Sequence, residues 1–199
     1  MTTTRAPRKT RNTSSPEDQE QAILAAAGAE FAAVGVRRAN MDEVAAQAGI
    51  SRSTLYRRFP NKETLLLAVA NDLYERGMHR LEQAVVGLGP SEALVEAFAE
   101  GAVMVSDDPL MRRLVLTDSE MKGITASVTA LFIDMVTDRV AATLRDAGAT
   151  MPADDLLKAV ELHVRLVISY LEVPASDESR QEPDEVRALA TKFLAPMIW

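Results

Sequence analysis

From Ser15 onward the apolar residues recur every three to four positions, and no stretch alternates strictly enough for a half-buried strand. That period restricts the chain to helices, and capping residues divide them. Ser15 caps a first helix, with Pro16 at its first position and acids in its first turn. Ile23, Ala27, Phe31 and Val34 form its apolar stripe, and Gly35 closes it. Asn40 caps a short second helix, with Glu43 in capping-box position and Met41, Val44, Ala45 and Ala48 as the buried stripe. Gly49 breaks it, Ser51 starts a third helix and Pro60 stops that one. Asn61 caps a long fourth helix that ends at "GLGP". Helices over 91–106, 109–116, 118–148, 152–173 and 183–199 complete an all-α chain of about nine helices. A capping box from Thr117 and Glu120 opens the 118–148 helix.

Composition agrees with that reading. The 199 residues are 47% hydrophobic and only 5% aromatic, enough apolar volume for one or two helical cores. Without cysteine, disulfides and thiolate metal sites are excluded. No apolar run approaches the roughly 20 residues that span a bilayer, and the polar N-terminus lacks the apolar core of a secretory signal. A cytoplasmic protein without a membrane partner is expected.

The net charge of −7 hides an asymmetry. Residues 1–62 carry a basic excess, and the rest of the chain is strongly acidic. A basic head on an acidic body suits a protein whose head alone meets a polyanion. The segment 1–15, "MTTTRAPRKTRNTSS", reads as a disordered basic arm. An inert tail and an arm that tracks phosphates or a minor groove both fit it.

The basic residues concentrate in "MDEVAAQAGISRSTLYRRFPNKETLL", 41–66. A helix-turn-helix needs a small residue where its two helices cross, and Ala45 supplies one. Gly49, four residues on, tolerates a left-handed turn; Ile50 and Leu55 anchor the second helix. The second helix, 51–58, then turns Arg52, Ser53, Thr54, Tyr56 and Arg57 outward near its N-terminal end, the part that meets base edges. Arginine reads guanine or phosphate, hydroxyls serve either, and Tyr56 donates to phosphate. Lys62 adds charge at a helix start, where free N–H groups favour an anion.

This stretch resembles the DNA-binding domain of the tetracycline-repressor (TetR) family. The resemblance runs over about 17–67 and rests on "A-x-x-A-G-[IV]-S" at 45–51, "T-L-Y-x-x-F" at 54–59 and "K-E-x-L" at 62–65. It implies DNA contacts at Ser51, Arg52, Ser53, Thr54, Tyr56, Arg57 and Lys62. Asn40 stands where relatives carry Thr or Ser on a phosphate, and joins the set because it still caps and still hydrogen-bonds. Arg58 replaces an aromatic residue common in relatives and offers a further phosphate contact. The resemblance also implies a DNA-binding domain over 16–66 and a ligand-sensing, dimerising domain over 67–199.

In that second domain the residues must speak for themselves. The polar residues of the 152–173 helix (Lys158, Glu161, Arg165, Ser169 and Glu172) form one narrow stripe, so burial on nearly all other sides is expected. Paired with the last helix, it suggests a two-fold dimer interface at Leu156, Val160, Val167, Tyr170, Leu171, Leu189 and Phe193. A fully internal helix of a monomer is the other reading. Phe98, Met104, Met121, Phe132 and Met135, with Val128, line up as an adaptable apolar pocket or as plain core. His163 is either a satisfied buried histidine, a dimer contact or the polar anchor of that pocket. Arg112 and Arg113 read as surface residues.

The function expected is a homodimeric transcriptional regulator on a palindromic double-stranded operator, a repressor that a small, mostly apolar effector releases. An activator of the same fold, or a helical carrier or enzyme, are the alternatives. No H-E-x-x-H, G-x-S-x-G, Walker or G-x-G-x-x-G pattern occurs, and only two histidines are present. Neither enzymatic activity nor a cofactor or metal is expected.

Overall fold

The computed structural model describes residues 15–115, 124–173, 176–177 and 182–199. The capping box of Thr117 and Glu120, Met121, the side chain of Val128 and the arm before Ser15 lie outside the described residues. Among the described residues the fold is all-α, with nine helices and no strand. These are α1 (Pro16–Val34), α2 (Met41–Gln47), α3 (Arg52–Arg58), α4 (Lys62–Ala84), α5 (Pro90–Asp107), α6 (Pro109–Val115), α7 (Ile124–Asp146), α8 (Ala153–Glu172) and α9 (Pro183–Leu189). The chain forms two compact units, the first ending at Val69 and the second running from Ala70 to Trp199, so the division falls inside α4.

In the first unit, α2 packs on both α1 and α3. Ser15 and Asp18 form a reciprocal capping box at the start of α1. Asn40 caps α2 by accepting from the Asp42 amide at 2.8 Å. The expected partner Glu43 does not close a box there: the Asn40 N–H donates to Glu30 Oε1 at 3.0 Å instead. A carboxylate ten residues back on α1 thus replaces the local one, and it ties the two helices together. Between α2 and α3, Ile50 N–H donates to the Ala45 carbonyl and Gly49 N–H to that of Ala46, the pairing of a Schellman stop. That pairing requires a left-handed residue, and Gly49 has φ +67°. Ser51 Oγ then accepts from the Thr54 amide and opens α3. Ala48, Ile50 and Val34 are half-buried rather than part of the sealed core, which is built from Ile23, Ala27, Phe31, Val44, Leu55 and Leu65.

The second unit is organised around α5, which touches α6, α7, α8, α9 and the C-terminal turns. Ion pairs hold its periphery. Arg187 on α9 reaches Glu96 on α5 at 3.0 Å, and Arg80 on α4 pairs with Glu100 on α5. Arg139 on α7 donates to Glu75 and Glu82 on α4 at 2.7 and 2.6 Å, with its guanidinium 5.8 Å from the Tyr74 ring. The hydrogen bond from Arg139 holds the Glu82 carboxyl below its ordinary range. The chain's last carbonyl, Trp199 O, accepts from the amides of Thr150 and Met151 in the α7–α8 connection.

The last helix does not continue to the end: α9 stops at Leu189 and widens into a π-helical turn, Ala190–Leu194, followed by the 3-10 turn Ala195–Met197. Pro196 is the cause, since it lacks an N–H and its ring clashes with the carbonyl four residues back; Ala195 bonds to Ala190, five residues back. Nor is α8 buried on nearly all sides. The unit covers one face of it and leaves Leu162, Leu166, Tyr170 and Val173 at 52%, 38%, 41% and 74% exposure.

A Cβ at Gly49 would meet no atom within 4 Å, so its replacement costs only backbone strain. Gly49→Ala is expected to destabilise the first unit by about 1–2 kcal/mol. Denaturant melts of the full chain followed by circular dichroism should show an earlier transition; an unchanged melt would mean that the turn tolerates a side chain.

Candidate nucleic-acid interface and effector cavity

One face of α3 is exposed. Leu55 is 0% exposed and Phe59 9%, which fixes the helix against its own unit and turns Arg52, Ser53, Tyr56 and Arg57 to solvent. Ser51 is exposed and Thr54 half-buried; their hydroxyls are 2.8 Å apart, and Ser51 Oγ also lies 2.9 Å from Ser53 Oγ. The Ser51 hydroxyl is therefore committed to capping and to this cluster. Arg52 Nη2 pairs with Asp42 Oδ2 at 2.9 Å while remaining 71% exposed, so α2 aims it without hiding it. Arg57 forms no ion pair or side-chain hydrogen bond among the described residues.

Arg58 does not join that face. Its guanidinium donates to Glu20 Oε2 at 3.0 Å and to the Pro16 carbonyl at 3.1 Å, bracing α3 against the start of α1. The phosphate contact offered for it is replaced by this internal role. Lys62, half-buried, donates to the Arg37 carbonyl at 2.9 Å and so anchors the loop after α1 to the start of α4. Asn40 lies exposed at the start of α2, its side chain oxygen used by the cap. Arg58's partners lie 38 and 42 residues away, and no local pattern points to them.

In the second unit, Phe98, Met104, Phe132 and His163 line a common, almost wholly apolar cavity of about 100 Å³. Met135 does not. Phe132, Val136 and Val140 follow one helical stripe into it, while Met135 sits on the neighbouring stripe and its carbonyl accepts from Tyr74 Oη at 3.2 Å. Of the residues assigned to a dimer surface, Leu156 and Val160 are 2% and 0% exposed and have no surface to share. Val167, Leu171 and Leu189 are half-buried, and Tyr170 and Phe193 are exposed. The cavity wall also contains two residues that periodicity does not mark, Gly77 on α4 and Gly101 on α5. A glycine in a helix interior marks such a place in the sequence, because it weakens the helix by about 0.5–1 kcal/mol relative to alanine. His163 is 3% exposed; its Nδ1 bonds the Ala159 carbonyl, which fixes the proton there, and its Nε2 makes no hydrogen bond. Burial pushes its pKa down, opposed by the carbonyls of Ala159 and Leu194.

The exposed α3 face sits in a wider similarity. Residues 23–69 match the model described as bacterial regulatory proteins of the tetR family, and residues 90–192 match that of the tetracycline repressor C-terminal domain. The chain belongs to the TetR family. An uncharacterised HTH-type transcriptional regulator of Mycobacterium tuberculosis is 29% identical over 164 residues, covering 79% of this chain and 74% of that protein. UidR of Escherichia coli is 25% identical over 80% of this chain and 83% of its own length. The crystal structure of the TetR family repressor AlkX from a Dietzia species has the same fold, with a TM-score of 0.63 at 22% identity, over 91% of this chain and 97% of that one. This TetR-family chain is thus a DNA-binding transcriptional regulator, and its relatives are regulators rather than enzymes. No described helix is long and apolar enough to cross a membrane.

His163 ties the stability of the second unit to pH. Its folded pKa lies below the ordinary 6.5, so on acidification the unfolded chain takes up the proton first. This contribution is fully present above 6.5 and is lost as the pH falls below it. A thermal melt series over about pH 8 to 5 should show a decline that His163→Leu reduces; identical profiles would remove His163 as the cause.

Proposed function

We propose that this regulator is a homodimeric repressor that releases its operator when an apolar effector fills the α4–α8 cavity. The observation that carries the DNA side is the solvent-facing set Arg52, Ser53, Tyr56 and Arg57 on a helix whose opposite side is sealed by Leu55. Arg57 is the unpaired guanidinium of that set, suited to bidentate reading of guanine. Arg52 enters already oriented by Asp42. Asn40 and Lys62 stand at helix starts beside Ser51 and Thr54, whose hydroxyls are taken up by the cap of α3; the Asn40 side-chain NH2 and Lys62, which keeps two N–H donors beyond the one on Arg37, serve phosphates.

The bare apolar strip of Leu162, Leu166, Tyr170 and Val173 on α8, with Phe193 62% exposed beyond α9, supports self-association. A second copy related by a two-fold axis covers the strip and sets two α3 helices one or more turns apart, which calls for a palindromic operator. The effector acts by favouring one spacing over the other. Helix α4 carries both Lys62 and the cavity residue Gly77, so one helix lends residues to the two tasks.

Arg57→Ala is expected to weaken operator binding by about 1–3 kcal/mol, roughly five- to 150-fold, and to lower the salt slope. Fluorescence anisotropy at several salt concentrations, on operator and random DNA, measures both; wild-type affinity and selectivity in the variant would remove α3 as the reading element. Leu166→Glu should shift the chain to monomer in sedimentation, and an intact dimer would move the interface elsewhere.

A further inference from the structure

The inner cavity is small for an effector. An apolar cavity of about 150 Å³ holds a benzene ring, and this one measures about 100 Å³. A second, larger cavity of about 390 Å³ lies beside it, between α5, α6, α8 and α9. That volume falls within the roughly 300–1,000 Å³ range of small-molecule sites. Phe98 and Val167 line both, so a wall one side chain thick separates them.

The two spaces differ in chemistry. The inner one is walled by aliphatic, aromatic and methionine side chains, together with the buried imidazole of His163. A Cβ at Gly77 would stand 3.0 Å from Met104 Cε and 3.6 Å from Met111 Cε, the flexible ends of side chains that can swing away. A Cβ at Gly101 would meet nothing within 4 Å. Two helix-weakening glycines on one apolar cavity keep space there that alanine would reduce. The outer cavity adds polar groups: Ser106, Asp107, Arg112 and Tyr170. No hydrogen bond or ion pair holds the Arg112 guanidinium among the described residues, and it is exposed.

We propose that the effector is an elongated amphiphile with an anionic, carboxylate-type head, its tail in the inner cavity past Phe98 and its head on Arg112 in the outer one. Guanidinium is a planar fork matched to a carboxylate and is weakly hydrated, so pairing gains more there than at the strongly hydrated Asp107. Asp107 opposes the anion, and the chain binds because the buried tail and Arg112 together outweigh it. The inference rests on the ligand-responsive reading above and names the class of molecule that fills that site.

Decanoate, decanol and decylamine, each below its micelle concentration, are probes that differ in the head alone. Isothermal titration of the full chain should find decanoate tightest and decanol about tenfold weaker, the loss of one charge-assisted pair. Decylamine should bind weakest. Arg112→Gln should bring decanoate to the level of decanol and leave decanol unchanged; Asp107→Asn should tighten decanoate. Gly101→Leu, which fills the inner cavity from a position without a clash, should keep the melting temperature and weaken both decanoate and decanol at least about tenfold. Gly101→Ala serves as the milder variant if the leucine perturbs folding, with a smaller loss in the same direction. Decanoate binding untouched by Arg112→Gln, tightest binding of decylamine, full binding in both Gly101 variants, or no binding of any probe would each overturn the proposal. Operator release is read separately: decanoate bound as described on a protein that stays on its DNA supports the ligand class and refutes the ligand-controlled repressor.

Discussion

The backbone reversal between α2 and α3 passes through a single left-handed residue, Gly49, and most of the proposed DNA-facing surface depends on it. With the Ile50 amide on the Ala45 carbonyl, α3 can leave α2 in one direction only. Leu55 is then driven into the core and Arg52, Ser53, Tyr56 and Arg57 are driven out. Helix α3 has seven residues, too few to persist alone, so its direction comes from its two ends. Ser51 supplies the cap at one, and the Arg58 pairing with Glu20 and the Pro16 carbonyl supplies the brace near the other.

Charge is distributed by role. Within the first unit, Arg58 and Lys62 are braced internally, whereas Arg52 and Arg57, which precede them in the chain, are left facing solvent. In the second unit, arginines 80, 139 and 187 are spent on carboxylates of other helices, closing the bundle around α5. The exposed Arg112 departs from that pattern, at the rim of the larger cavity. Apolar surface shows a similar departure, with α8 covered on one side and bare along Leu162, Leu166, Tyr170 and Val173.

What was legible in the sequence was local. Helix starts at Ser15, Asn40 and Ser51 follow from side chains that cap within three residues, and the left-handed turn follows from Gly49. The outward face of α3 follows from the period of seven residues around Leu55. Long-range partners were not legible: Glu30 replacing Glu43 at Asn40, and Glu20 claiming Arg58, depend on how α1 lies against its neighbours. Leu156 and Val160 share an apolar stripe with residues nearer the surface, and periodicity cannot say which part of a stripe its own subunit covers. The division into an inner and an outer cavity depends on single side chains, Phe98 and Val167, whose positions only packing decides.

Whether paired α3 helices read DNA is tested most directly by hydroxyl-radical and methylation footprinting of the chain on its bound genomic fragments. Two major-groove contacts of similar sequence are expected, inverted with respect to one another and separated by one or more helical turns. Protection that is uniform along random DNA, or confined to a single unrepeated site, would contradict it.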